Sequence, residues 1–355
     1  MDEKKRLIGI QGLRGIGIVM IIVSHCGADI NSAMHYLGLL GVEIFFVLSG
    51  YLTMYHSVNT NFGSLKCHLV RVVKKMIRAG GGLYPLHVVT LLAAIPLSYK
   101  VFLLGDKLKY IVKLLVQLLL CQSWIPSLDV YMGFNGTAWY LSAYVFLACI
   151  SRVIVKAISR WSLKKCISMI GVIVAVQYTA AVFFWRGSDQ KIIWLLYVCP
   201  LSRALDFVLG CCICRIHKEK KMTKHYNKQL VVGMILAFFA LLFMNGKELS
   251  LGLTALWTIP SMLIVSGTIM GEKDSVIIKS VFQNKTAIWI GNISMELFLI
   301  HQLVIKYFQY WYDSRNRLCP GYMYMLAVLI GVLLSVMWNR VHQIVRKKQS
   351  NMSAE

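Results

Sequence analysis

The chain has 355 residues, 57% of them hydrophobic, with a mean hydropathy of +0.63 and a formal net charge of +23. These values exclude a soluble one- or two-domain protein and describe a polytopic membrane protein with basic loops. The surplus of cations belongs to topology and to contact with anionic lipid, and nucleic-acid binding is not implied.

The opening MDEKKR has the basic character of a signal peptide, but no small-residue cleavage site follows, and Arg14 and His25 interrupt the apolar run. It reads as a retained first helix. Apolar windows of about 19 residues lie near 9–28, 37–55, 80–103, 108–124, 138–155, 166–185, 192–214, 229–246, 251–270, 287–308 and 321–342. If all of them crossed, three basic stretches would face outward against the positive-inside rule. Holding 108–124 out of the bilayer places 26 of the 38 lysines and arginines inside, in 1–8, 56–79, 152–165, 215–228, 271–286 and 340–348. The expectation is an all-α polytopic protein of about ten transmembrane helices plus one non-spanning or re-entrant segment. Both termini are cytoplasmic in this reading, and one domain covers 1–355.

Arg14 and His25 share the first segment. Eleven positions at 100° each give three turns plus about 20°, so both side chains lie on one helix face about 16 Å apart. A cation and a titratable base at membrane depth are costly enough to suggest function. Arg14 sits in the run QGLRG, and the second segment carries GVEIFFVLSGYL at 41–52 with Glu43 as its acid. This combination resembles the membrane acyltransferase-3 family of polytopic O-acyltransferases, whose first helix carries an Arg, ten residues and an essential His. The family's second helix reads Gly-Val-acid-aromatic-aromatic-Val-Leu-Ser-Gly-aromatic, and here Ile44 precedes the aromatic pair.

Further motifs follow in chain order. RVVKKMIRAGGGLYP, ending the loop 56–79, places Lys74, Lys75 and Arg78 where the family has an Arg-Arg-x-x-Arg motif associated with the acyl donor. A cationic cluster suits the phosphates of coenzyme A, although two lysines lose the bidentate fork of arginine. The same charges also serve as ordinary positive-inside flanks, and Ala79 to Gly82 displace the family's aromatic-Pro pair to Tyr84 and Pro85. The segment 104–137, with Lys107, Lys109, Lys113, Trp124, Pro126, Asp129, Tyr131 and Asn135, is polar and aromatic enough to line a carbohydrate cavity or to form an interfacial helix.

In NGTAWYLSAYVF, 135–146, the family pattern Trp-Ser-Leu-x-x-Glu is met by Trp139 and Leu141, with Tyr144 where the glutamate would fall. The cysteines, including Cys211, Cys212 and Cys214, read as small packing residues, since no second ligand pair at zinc spacing accompanies them. RALDFVLG, 203–210, offers Arg203 and Asp206 as a mutually neutralising i, i+3 pair. WIGNISMELFLIHQLV, 289–304, resembles the family's late Ser-aromatic-x-x-aromatic-Leu-x-His helix, with Ser294, Phe298 and His301 in place and Glu296 a further acid.

What the resemblance implies is transfer of an acyl group, acetyl by family default, from acyl-CoA to a hydroxyl of a cell-surface carbohydrate or glycolipid. His25 is the general base, with Glu43 or Asp29 orienting it, and Arg14 holds the donor; direct transfer and an acyl-His intermediate both remain open. Imidazole, with a reference pKa of about 6.5, suits that work. Trp139, Tyr144, Arg203, Asp206, Ser294 and His301 are the candidate acceptor residues. No metal or permanently bound cofactor is expected, and acyl-CoA is a substrate. The localisation expected is the bacterial plasma or inner membrane. The form expected is the stand-alone one, without the SGNH hydrolase-like domain of some relatives. Rival readings are a transporter or flippase for a lipid-linked glycan and an inert scaffold.

Overall fold

A computed structural model describes residues 7–27, 32–57, 63–77, 82–185, 189–219, 225–247, 250–315 and 317–352; they form helices joined by short turns, with no strand among them. In chain order the helices are α1 (Ile8–Gly27), α2 (Ser32–His56), α3 (Leu65–Ile77), α4 (Leu83–Leu104), α5 (Lys107–Leu118), α6 (Leu128–Tyr131), α7 (Ala138–Ser159) and α8 (Leu163–Phe183). They continue with α9 (Gln190–Ile193), α10 (Pro200–Glu219), α11 (Tyr226–Met244), α12 (Ala255–Met270), α13 (Val276–Val281), α14 (Lys285–Asn292), α15 (Ser294–Asp313) and α16 (Gly321–Met352). A π-helical turn, Trp194–Val198, joins α9 to α10.

Eight helical segments are long and apolar enough to cross a bilayer, and nine if the bent pair α14–α15 counts as one. The expected span at 80–103 is α4, whose apolar stretch, Leu83–Tyr99, is shorter than a full crossing by the same measure. The segment at 108–124 folds as the 12-residue α5, about 18 Å of helix and too short to cross. Asp106 starts it, its Oδ1 accepting the Lys109 N–H at 3.1 Å. The straight helix expected over 287–308 is instead broken at Ile293, with a 74° bend. Its first part is held against α1: a methyl on Gly291 would overlap the Gln11 carbonyl, and one on Gly15 the Ala287 carbonyl. The backbone leaves helical geometry at Ile293 (φ −106°, ψ 10°) and restarts at the buried Ser294.

The described residues group into two compact, discontinuous units. The first comprises 1–61 and 150–292 and is built around α1, α2, α8, α10, α11 and α12. In it α1 and α2 run antiparallel: Gly41 packs on Gly17 and Ile21, and Gly38 on Ser24. The second comprises 62–149 and 293–355, where α4, α5 and the turns to residue 137 pack with α15 and α16.

Helices in lipid gain little from hydrophobic burial against one another, so close backbone approach at small residues sets their register. Gly50 and Gly210 show this reciprocally, since a methyl on the first would overlap the Phe207 carbonyl of α10 and one on the second the Val47 carbonyl of α2. We expect Gly210→Val to lower the melting temperature of the detergent-solubilised protein sharply. Gly171→Ala, with nothing within 4 Å of the added carbon, should leave it unchanged or slightly raised. Equal behaviour of the two variants would show that the approach of α2 to α10 does not limit stability.

Candidate active site

On α1 the side chains of Arg14 and His25 are half-buried. The His25 Nδ1 lies 2.8 Å from the Ile21 carbonyl oxygen one turn back. A carbonyl can only accept, so Nδ1 carries the hydrogen and the lone pair of the neutral ring sits on Nε2. The backbone of its own helix thereby fixes both tautomer and ring orientation. His301 on α15 repeats the arrangement on Leu297 at 2.8 Å.

Glu43 and Asp29 are the two carboxylates expected as partners of His25. Asp29 lies outside the described residues. Glu43 is held elsewhere: its Oε2 accepts from Arg203 Nη1 at 2.9 Å, and both side chains are buried. The antiparallel register of α1 and α2 also puts Glu43 roughly 10 Å along the axis from His25. The Ile21 carbonyl takes the place at Nδ1 that a carboxylate would otherwise fill.

Arg203 is the hub of a larger network. The same Nη1 reaches Asp206 Oδ2 at 2.9 Å, and Nη2 donates to the Leu196 carbonyl at 3.0 Å in the π-helical turn. Its guanidinium lies 5.5 Å from the Phe46 ring centre and 5.6 Å from that of Tyr197, within cation–π range. Gln177 of α8 donates from Nε2 to Asp206 Oδ1 at 2.6 Å and accepts at Oε1 from the Thr258 hydroxyl of α12 at 2.5 Å. The expected Arg203–Asp206 pair is present, but it belongs to a five-residue chain across four helices. Sequence reading missed Gln177 and Thr258; the visible signal was an amide inside the otherwise apolar run 166–185.

In the second unit, Trp139, Ser294 and His301 are buried and Tyr144 is half-buried. Tyr140 joins several of them: it stacks on Tyr144 at 6.4 Å, lies 6.3 Å from Trp139 and meets Phe298 at 5.0 Å, while Phe298 lies 6.2 Å from His301. Tyr140 was not among the expected residues, although it adjoins Trp139. Glu296 accepts from Asn339 of α16 at 3.2 Å and so serves helix packing.

The polar segment expected to line a cavity or to form an interfacial helix is divided: Lys107, Lys109, Trp124, Pro126 and Asp129 are exposed, whereas Tyr131 and Asn135 are buried. Asn135 Nδ2 donates to the Leu299 carbonyl at 2.8 Å, Tyr131 is buried, Trp124 meets Phe146 edge-on at 4.8 Å, and Lys113 pairs with Asp129 at 3.4 Å.

Lys74 and Lys75 are exposed on α3, and Arg78 lies outside the described residues. Two inward anchors hold α3: buried Met76, and buried His68, whose Nε2 donates to the Ala148 carbonyl at 3.0 Å. Arg71, Lys74 and Lys75 follow a helical spacing, while Leu65, Leu69, Val73 and Ile77 are also exposed, the pattern of an interfacial amphipathic helix. Among the described residues no cluster of three metal-ligating side chains occurs, and Cys211, Cys212 and Cys214 are buried free thiols.

The family model described as an acyltransferase domain, acyltransferase-3, matches residues 7–339. The acyltransferase MdmB of Streptomyces mycarofaciens is 25% identical over 329 residues, covering 85% of this chain and 80% of that protein. The O-acetyltransferase OatA of Staphylococcus aureus is 22% identical over 368 residues, covering 98% of this chain, which spans only 58% of OatA. No solved structure matches the chain.

Removing one partner of a buried ion pair strands the others, at about 3–5 kcal/mol. Arg203→Met should therefore abolish most folded protein, read as loss of the monodisperse peak and of the thermal transition in detergent. Replacing Arg203, Glu43 and Asp206 together by apolar residues should recover part of it. No recovery in the triple variant would mean that this network does more than neutralise itself.

Proposed function

The chain belongs to the membrane acyltransferase-3 family, a multi-pass membrane O-acyltransferase, and from that premise we propose that it moves an acetyl group from cytoplasmic acetyl-CoA to a hydroxyl of a cell-surface carbohydrate or glycolipid. The observation that carries the reading is the His25 ring, fixed through Nδ1 on the Ile21 carbonyl at 2.8 Å. A neutral imidazole so held keeps its basic nitrogen, Nε2, in one orientation, which is what a general base requires.

In this mechanism Nε2 takes the hydroxyl proton as the oxygen attacks the thioester carbonyl. The new carbon–oxygen ester bond forms, the carbon–sulfur bond breaks, and the proton passes from the imidazolium to the leaving thiolate. Arg14, about 16 Å away on the same helix face, steadies the donor from the cytoplasmic side. The cations of α3, Lys74 and Lys75 with Arg78 following, meet its phosphates. Both termini face the cytoplasm, as the distribution of cations favours. Trp139, Tyr144, Ser294 and His301 belong to the acceptor side. Tyr144, standing where relatives carry a glutamate, offers a phenol for hydrogen bonding and a ring for stacking on a sugar. Glu43, Arg203 and Asp206 support the site by holding helices in register and leave the chemistry to His25.

General-base catalysis contributes about 10²–10⁴-fold. Acceptor-dependent thiol release from acetyl-CoA by membranes carrying His25→Ala, supplied with a crude surface-glycan extract, should fall by at least about 10²-fold relative to the unaltered protein. Equal release from the two would remove His25 as the base. Release that persists without extract would show hydrolysis in place of transfer.

A further inference from the structure

Lys306 lies one helical turn after Gln302 on α15, half-buried, in the second unit. Its ammonium has the Phe134 carbonyl at 3.4 Å, and no ion pair among the described residues includes it. The described carboxylates of this unit serve elsewhere: Asp106 caps α5, Asp129 pairs with Lys113, and Glu296 binds Asn339. Asp313 lies two turns farther along α15. An ammonium withdrawn from water without a counter-charge is costly, more so at membrane depth, and such a group points to an anion supplied from outside the chain.

Two neighbouring features bear on the ligand that would carry it. Gln302 Oε1 is buried with no hydrogen-bond partner and lies against Gly136, where a Cβ would come within 2.7 Å of it. That oxygen can only accept, so Gln302 suits a sugar hydroxyl beside an acidic group, and Lys306, on the same stripe of α15, suits the oxyanion itself. The stretch facing them is fastened down: Asn135 Nδ2 donates to the Leu299 carbonyl at 2.8 Å, and the Phe134 ring meets Tyr110 at 5.3 Å. Phe134 itself is held in the left-handed region, φ +53°, which is strained for a non-glycine residue. That conformation directs its carbonyl at Lys306. The aromatic group of Tyr140, Tyr144 and Phe298 begins one turn earlier on the same face of α15.

We propose that Lys306 binds an acidic group of the acyl acceptor, with Gln302 Oε1 accepting from a neighbouring sugar hydroxyl, so that the enzyme selects an anionic glycan over a neutral one. The proposal rests on the acyl transfer described above and names the acceptor's charge. The oxyanion is a carboxylate or phosphate on the sugar. A phospholipid headgroup offers the same chemistry, so the test separates the two sources.

The test uses the full chain in phosphatidylcholine nanodiscs, titrated with methyl β-D-glucuronide or methyl β-D-glucoside. The unaltered protein should bind the glucuronide more tightly, with inorganic phosphate competing. Lys306→Met should weaken the glucuronide by at least about tenfold, the weight of one charge-assisted hydrogen bond, while Lys306→Arg retains it and the glucoside is unaffected. Lys306→Met without ligand should melt no lower than the unaltered protein, because it removes an unpaired charge.

A marked fall in melting temperature would make Lys306 a structural residue and overturn the proposal. So would equal binding of the two sugars, or full glucuronide binding by Lys306→Met. If phosphatidylglycerol in the disc stabilises the protein through Lys306 while glucuronide binding is indifferent to it, the ammonium serves lipid and the proposal fails. His25-dependent thiol release with the crude extract reports on the transfer reaction separately and survives any of these failures.

Discussion

The guanidinium of Arg203 binds Glu43 of α2, Asp206 of its own helix and the carbonyl of Leu196 in the π-helical turn, and through Asp206 and Gln177 it reaches Thr258 of α12. Helices in lipid lack the drive that collapses a soluble core, so directional bonds and close backbone approach decide which helix meets which and at what height. Arg203 supplies the first and the reciprocal contact of Gly50 with Gly210 the second, both between α2 and α10. The height of α2 in turn sets that of α1, through Gly41 on Gly17 and Gly38 on Ser24. The position of the His25 ring therefore depends on a charge network carried by other helices.

The parts of this arrangement readable from sequence are those carried by one helix. The spacing of Arg14 and His25 and the i, i+3 pair of Arg203 with Asp206 follow from helical periodicity alone. The pairing of Glu43 with Arg203 spans 160 residues, and no local pattern encodes a contact at that separation. For the same reason the sequence leaves Glu43 a candidate partner for His25, beside Asp29. The Ile21 carbonyl that His25 Nδ1 meets is invisible to any reading of side chains, because every residue has a carbonyl.

Span assignment shows the same division. Apolar length located the long helices and the distribution of cations set 108–124, the short α5, apart from them, whereas the 74° break at Ile293 arises from a tertiary demand, the close seating of α14 on α1. The Gly-Asn step before Ile293 is the local trace of it. In 104–137 the polar and aromatic composition fits a cavity lining or an interfacial helix. The amides of Gln117, Gln122 and Asn135 mostly bind backbone carbonyls of the turns and of α15 instead. A chain that neither crosses nor forms long helices must satisfy its peptide groups with side chains, and that use consumes residues which otherwise read as ligand-binding.

The reciprocal seating of Gly50 and Gly210 also bears on how this protein can change over generations. Every amino-acid replacement of glycine adds at least a methyl group, and at each position that methyl meets the other helix's backbone, which has no rotamer to yield. Compensation by a second substitution is closed as well, since the obstructing atoms are carbonyls common to all residues. Two codons far apart in the gene are thus frozen by each other's main chain. The aromatic residues around Tyr140, which meet one another ring to ring, remain free to drift together.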